Sequence, residues 1–112
     1  MANEGNFDQK RNFFRIEYPA NERPNLCVGD KYFSVLDVSE EGLRFELPLD
    51  QTVKVGLRIK GSIDFCQRAK YSISGKIVRV GLNFAAIALE TPLPLPLIMN
   101  EHRYLIKNFA KT

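Results

Sequence analysis

The residues of this chain whose types and spacing could do chemistry fall in two short stretches. One is QKRNFFRIEYP, with Arg11 and Arg15 four positions apart; the other is DVSEEG, with Asp37, Ser39 and Gly42. A guanidinium can donate two parallel hydrogen bonds to a base edge, clamp a phosphate, or lie flat on a base, whereas lysine does only part of this. An aspartate accepts from the N–H groups of a base, a serine hydroxyl adapts to base or phosphate, and a glycine supplies positive φ or lets backbone come close. The plain alternatives are two solvated charges on a tail and an ordinary β-turn in which Asp37 and Ser39 cap backbone donors. Composition separates the two motifs. With eight arginines in 112 residues, RxxxR is expected about 0.55 times by chance, and DxSxxG about 0.013 times.

The elements that must position these residues read mainly as strands. RPNLCVGDKYFSVLDVS gives two apolar runs around Gly29-Asp30, a spacing that suits a tight hairpin. GLRFELP alternates Leu43, Phe45 and Leu47 against Arg44 and Glu46. VKVGLRIKGSIDFC alternates through Val53, Val55, Leu57 and Ile59 and resumes at Ile63 and Phe65. YSISGKIVRV places Gly75 where a bulge or close packing is permitted, and LNFAAIALE is a further strand. Short strands at this spacing predict an antiparallel barrel or sandwich over about residues 20–90. Pro92, Pro94 and Pro96 end the strand region in an extended connector over 91–96. A helix over about 97–110 follows, with Leu97, Ile98, Glu101, Leu105, Asn108 and Phe109 in two adjacent stripes beside Tyr104. Such a face calls for packing against the barrel. Residues 1–10 are poor in apolar side chains and read as a flexible tail.

The bulk numbers bound the classes. A chain of 112 residues fits one domain that buries about 65% of its unfolded surface. With 45% hydrophobic and 26% charged residues, it reads as neither disordered nor fibrous. No apolar run approaches the ~20 residues that cross a bilayer, and the start lacks a secretory segment, so the reading is a cytoplasmic protein without membrane insertion. Cys27 and Cys66 lack CxxC spacing and read as reduced core thiols. The net charge of +3 modestly favours an anionic partner.

The two motifs in this order, RxxxR just ahead of a β-rich region and DxSxxG at a strand end, resemble the PilZ domain family. GLRFELP, the GKIVRV strand and the C-terminal helix extend the resemblance to nearly the whole chain, with the domain over 11–112. A short link after Arg79 stands where that family often has a longer hairpin. The resemblance implies a mainly all-β fold, a six-stranded antiparallel barrel with a C-terminal helix, that binds the bacterial second messenger cyclic di-GMP. It assigns Arg11 and Arg15 to base edges and phosphates, and Asp37 and Ser39 to guanine, with Gly42 completing the second motif. Lys10, directly before Arg11, stands at the place where a basic residue favours a stacked pair of ligands over one. The expected action is relay to an unidentified downstream protein as the ligand orders the N-terminal segment, with no enzymatic activity and no cofactor beyond that ligand.

Other candidates take blander readings. Phe13 and Phe14 anchor the leading segment to the barrel rather than stack on bases. His102 has no second metal ligand or nucleophile at usable spacing, and Asp64 and Glu90 suggest no acid and base pair. Arg44, Arg68 and Arg79 read as outward strand charges, Arg44 being the nearest to the motif turn. Two alternatives stand beside the receptor. One is a PilZ-like interaction adaptor that binds no nucleotide. The other is a basic barrel for single-stranded nucleic acid, which is disfavoured because Tyr32, Phe33, Phe45 and Phe65 lie in strands whose core needs them.

Overall fold

The alternating apolar and polar side chains between Asn25 and Leu89 resolve into six antiparallel strands closed into a barrel. The computed structural model describes residues 15–66 and 68–109. A two-residue strand β1 (Ile16–Glu17) and a short 3-10 turn (Ala20–Glu22) lead into β2 (Asn25–Val28), β3 (Lys31–Ser39) and β4 (Gly42–Glu46). After a longer loop come β5 (Arg58–Asp64), β6 (Lys70–Val80), β7 (Phe84–Leu89) and helix α1 (Leu95–Phe109). Around the barrel the order is β3, β2, β5, β6, β7, β4, and the pairing of β4 with β3 closes the ring. Closure leaves no long unpaired edge among the described residues. β1 lies along β3, with Ile16 opposite Val38 and Glu17 opposite Asp37.

The interior is filled by inward-facing Leu26, Val35, Val38, Leu43, Ile63 and Phe65, all essentially inaccessible. Burying each such side chain contributes roughly 1.5–3 kcal/mol relative to leaving it in water. Leu97 and Ile98 carry the core onto α1. The helix begins at Leu95, inside the stretch expected as connector, because Pro96 sits in the first turn, where a missing N–H costs nothing. The carbonyl of Pro94 accepts from the N–H groups of Leu97 and Ile98 at 3.1 and 3.3 Å.

Two local expectations need correction, and a third resolves between its alternatives. The strand read from Val53 starts only at Arg58, since Gly56 takes φ +96° and Leu57 N–H donates to Lys54 O at 3.1 Å. That is a turn, and the apolar alternation of Val55 and Leu57 leaves both exposed. At Gly75 the structure takes the close packing: a Cβ there would lie 2.3 Å from Ala88 O, while the irregularity of β6 falls between Ile77 and Arg79. Cys66 is exposed, with φ 53°, and Cys27 is only half-buried; both thiols are free, and neither lies in the core. Of the four strand aromatics, Phe45 and Phe65 are buried and Phe33 packs against the core, while Tyr32 is exposed. Among the described residues no helix is long and apolar enough to cross a membrane.

Candidate functional site

Strict alternation along β3 would place Asp37 on the same face as Val35, in the core. It does not, because the register with β4 shifts between Val35 and Asp37, so that Leu36 is the extra residue of a bulge. Val35 and Val38 both face the core, and Asp37 and Ser39 are turned to the outer face. A second bulge has the same effect across the barrel wall. In β6 the pairing passes from Ile77 opposite Ile87 to Arg79 opposite Ala86, which turns Arg79 outward with Ala86. The two re-aimed stretches face one groove of about 490 Å³, whose floor is the backbone of β4 and β7 with small Ala86 and Ala88.

At one end of this groove Asp37 is held by two arginines. Arg15 Nη1 donates to Asp37 Oδ1 at 2.5 Å, and Arg44 Nε donates to Oδ2 at 2.6 Å. The Asp37 side chain is 1% exposed, while those of Arg15 and Arg44 are 46% and 38% exposed. A buried carboxylate requires such partners, because an uncompensated charge in a dry site is strongly destabilising. Position explains the pairing: Glu17, Asp37 and Arg44 lie directly opposite one another on β1, β3 and β4. Asp37 was read as a possible turn cap, yet its described hydrogen bonds run to guanidiniums.

Ser39 and Gly42 flank the two-residue turn that joins β3 to β4. Ser39 Oγ donates weakly to Gly42 O at 3.4 Å and lines the groove. The turn itself is pinned by two backbone bonds, from Leu89 N–H to Glu41 O and from Leu93 N–H to Glu40 O, at 2.9 and 2.8 Å. Gly42 is required for close approach rather than for positive φ: a Cβ there would lie 2.6 Å from Ile87 O, a backbone atom that cannot step aside. Of the residues singled out in the sequence, Arg15, Asp37, Ser39 and Gly42 therefore meet in one groove. Lys10 and Arg11, together with Phe13 and Phe14, lie outside the described residues.

The family model for the PilZ domain matches residues 9–100, most of the chain. The chain belongs to the PilZ domain family. No curated protein matched it. PilZ domains are, as a family, cyclic di-GMP receptor domains. The match spans both motifs and the barrel of this PilZ domain.

Two residues read as outward strand charges do face outward and also line the groove. Arg44 and Arg79 stand on either side of Ala86 in register, and their guanidinium carbons lie 5.2 and 5.5 Å from the Phe84 ring centre. The signal that could have found them is the bulge, visible in β3 as Val35 and Val38 three apart, a spacing that breaks two-residue alternation. Arg68, by contrast, was misread. It belongs to a turn and donates Nε to Glu101 Oε2 and Nη2 to Oε1, both at 2.9 Å, with Tyr18 Oη donating to the same carboxylate at 2.7 Å. The guanidinium carbon lies 3.9 Å from the Tyr104 ring centre, and Tyr104 Oη donates to Glu22 at 3.3 Å. Burial first, then the Glu101 carboxylate, push the Tyr18 phenol far above its ordinary range, and the hydrogen bonds to Glu101 raise Arg68. Glu90 accepts from Ser74 Oγ at 2.7 Å and from Arg58. The bond from Ser74, and then the charge of Arg58, hold its carboxyl below the usual range.

Proposed function

We propose that this protein is a cytoplasmic bacterial receptor that binds cyclic di-GMP in the Arg15–Asp37 groove and relays it to a partner protein by ordering its N-terminal segment. The observation that carries the reading is the meeting of two motifs far apart in sequence: Arg15 and Asp37 make contact at 2.5 Å beside Ser39 and Gly42. Asp37 offers acceptor oxygens for guanine N1–H and N2–H₂, and Arg15 a planar donor fork for a base edge or a phosphate. The described lining balances the cations Arg15, Arg44 and Arg79 against the anions Glu17, Asp37 and Glu41. A ligand with two phosphates thus calls for cations from elsewhere, and Arg11 and Lys10 are the ones the chain supplies nearby in sequence. Ordering a segment costs conformational entropy, so the relay requires ligand contacts made only in the closed form. The reading assigns the chain no catalytic role and no cofactor.

The test is a calorimetric titration of the full chain with cyclic di-GMP, reporting affinity and ligands bound per chain. Saturable binding is expected, two ligands per chain if Lys10 acts as assigned, with Arg15→Ala abolishing it. Unchanged affinity in that variant overturns the assignment. A second reading, an interaction adaptor that binds no nucleotide, is favoured by the exposed Val78 and Val80 at the end of β6 and the exposed Leu82 in the link to β7. Silence in the titration together with a stable protein complex would select it.

A further inference from the structure

Both oxygens of Asp37 are occupied by arginines, and the side chain is closed to water. If a guanine is to donate to this carboxylate, at least one arginine must leave it. Guanine donors are neutral, so a buried carboxylate that lost both arginines would keep hydrogen bonds but no counter-charge. One arginine has to stay. Geometry distinguishes them. Arg44 projects from β4, directly opposite Asp37 and between β3 and β7, and it binds through Nε, the nitrogen nearest its backbone. Its guanidinium is also held over the Phe84 ring. Arg15 binds through a terminal nitrogen, is the more exposed of the two, and precedes a strand of only two residues.

We infer that Arg44 is a positioning residue for the ligand site: it remains on Asp37 as the permanent counter-ion and so allows Arg15 to exchange Asp37 for the ligand. This rests on the cyclic di-GMP reading and deepens it, since it names a charge outside both motifs on which recognition depends. Without Arg44 the carboxylate has only Arg15, and ligand binding would have to break its last ion pair. With Arg44 in place, Arg15 leaves a carboxylate that is still neutralised. The requirement is for charge more than for shape. A lysine at this position supplies it, and a glutamine, which can donate a hydrogen bond without charge, does not.

The experiment is a cyclic di-GMP titration of the wild type, Arg44→Gln, Arg44→Lys, Asp37→Asn and the Asp37→Asn/Arg44→Gln double variant, each checked for a cooperative thermal transition. Arg44→Gln is expected to weaken binding on the order of 30-fold, in line with truncating one member of a buried charge pair. Arg44→Lys should recover most of that loss, and Arg44→Gln should cost nothing further once Asp37 is Asn. Arginine Nε–H NMR signals of the wild type give a readout that β4 stability does not move: ligand should shift Arg15 and leave the Arg44 signal in place. Absence of wild-type binding defeats the receptor reading itself. Wild-type binding with Arg44→Gln within about twofold, or displacement of the Arg44 signal by ligand, overturns this inference alone. If Arg44→Gln fails to fold, the wild-type NMR result decides.

Discussion

Asp37 and Glu101 are two buried carboxylates with similar partners and opposite surroundings. Each carries an arginine on both sides of its chemistry or an arginine and a phenol: Arg15 and Arg44 for Asp37, Arg68 and Tyr18 for Glu101. Around Glu101 the partners are themselves covered, Arg68 being 23% exposed and stacked on Tyr104, and Tyr18 belonging to the core. The result is a clamp that seats α1 against β1, the 3-10 turn and the β5–β6 connection. Around Asp37 the partners open onto a groove and one of them is nearly half exposed. The same ion-pair chemistry is structural where partners have nowhere to go, and exchangeable where one of them faces solvent at the start of a short strand.

This contrast can be broken by measurement. The largest expected effect is at the clamp: Glu101→Ala should cost about 3 kcal/mol in urea unfolding, the low end for a broken buried pair, because Arg68 keeps Glu22 at 3.6 Å. Its affinity for cyclic di-GMP should stay within about twofold; a loss comparable to that of Asp37→Asn would show the two carboxylates to be one system. Next comes Tyr18→Phe, which removes one hydrogen bond to Glu101 and should cost about 1 kcal/mol. The folded-state phenol is raised above its unfolded value, so its contribution is fully present below about pH 10 and is lost as pH rises beyond it. Melting temperatures across that range should fall in the wild type and fall less steeply in Tyr18→Phe; equal slopes would remove Tyr18 from the account. Tyr104 and Cys66, both raised by desolvation first, add to the fall in the same direction. The smallest effect is at the groove rim: Glu41→Gln should tighten cyclic di-GMP binding about two- to fivefold at low salt, with the gain shrinking as salt is added. A loss of affinity there would mean that Glu41 contacts the ligand.

Much of the barrel was legible because two-residue alternation and turn residues act locally. The Gly29-Asp30 hairpin, β4 from GLRFE and the strand after Gly81 follow from neighbours in sequence. Val53 to Leu57 misled for the complementary reason: an apolar alternation describes side chains and says nothing of a turn set by Gly56 and by bonds to Ile77 on a distant strand. The site was legible only where a motif marked it. Arg44 and Arg79 looked like any outward strand charge, and Arg68 looked the same while serving as the partner of a buried glutamate 33 positions away.

By itself the sequence determined the strand-rich class, the existence of a C-terminal helix, and the residue types able to recognise a base and a phosphate, since propensity and side-chain chemistry reside in each residue. Only the tertiary structure decided which way those residues point and what holds them. Two bulges, each one residue long, reverse the facing of everything beyond them, and whether a strand takes up that extra residue depends on register with a partner that no local window contains.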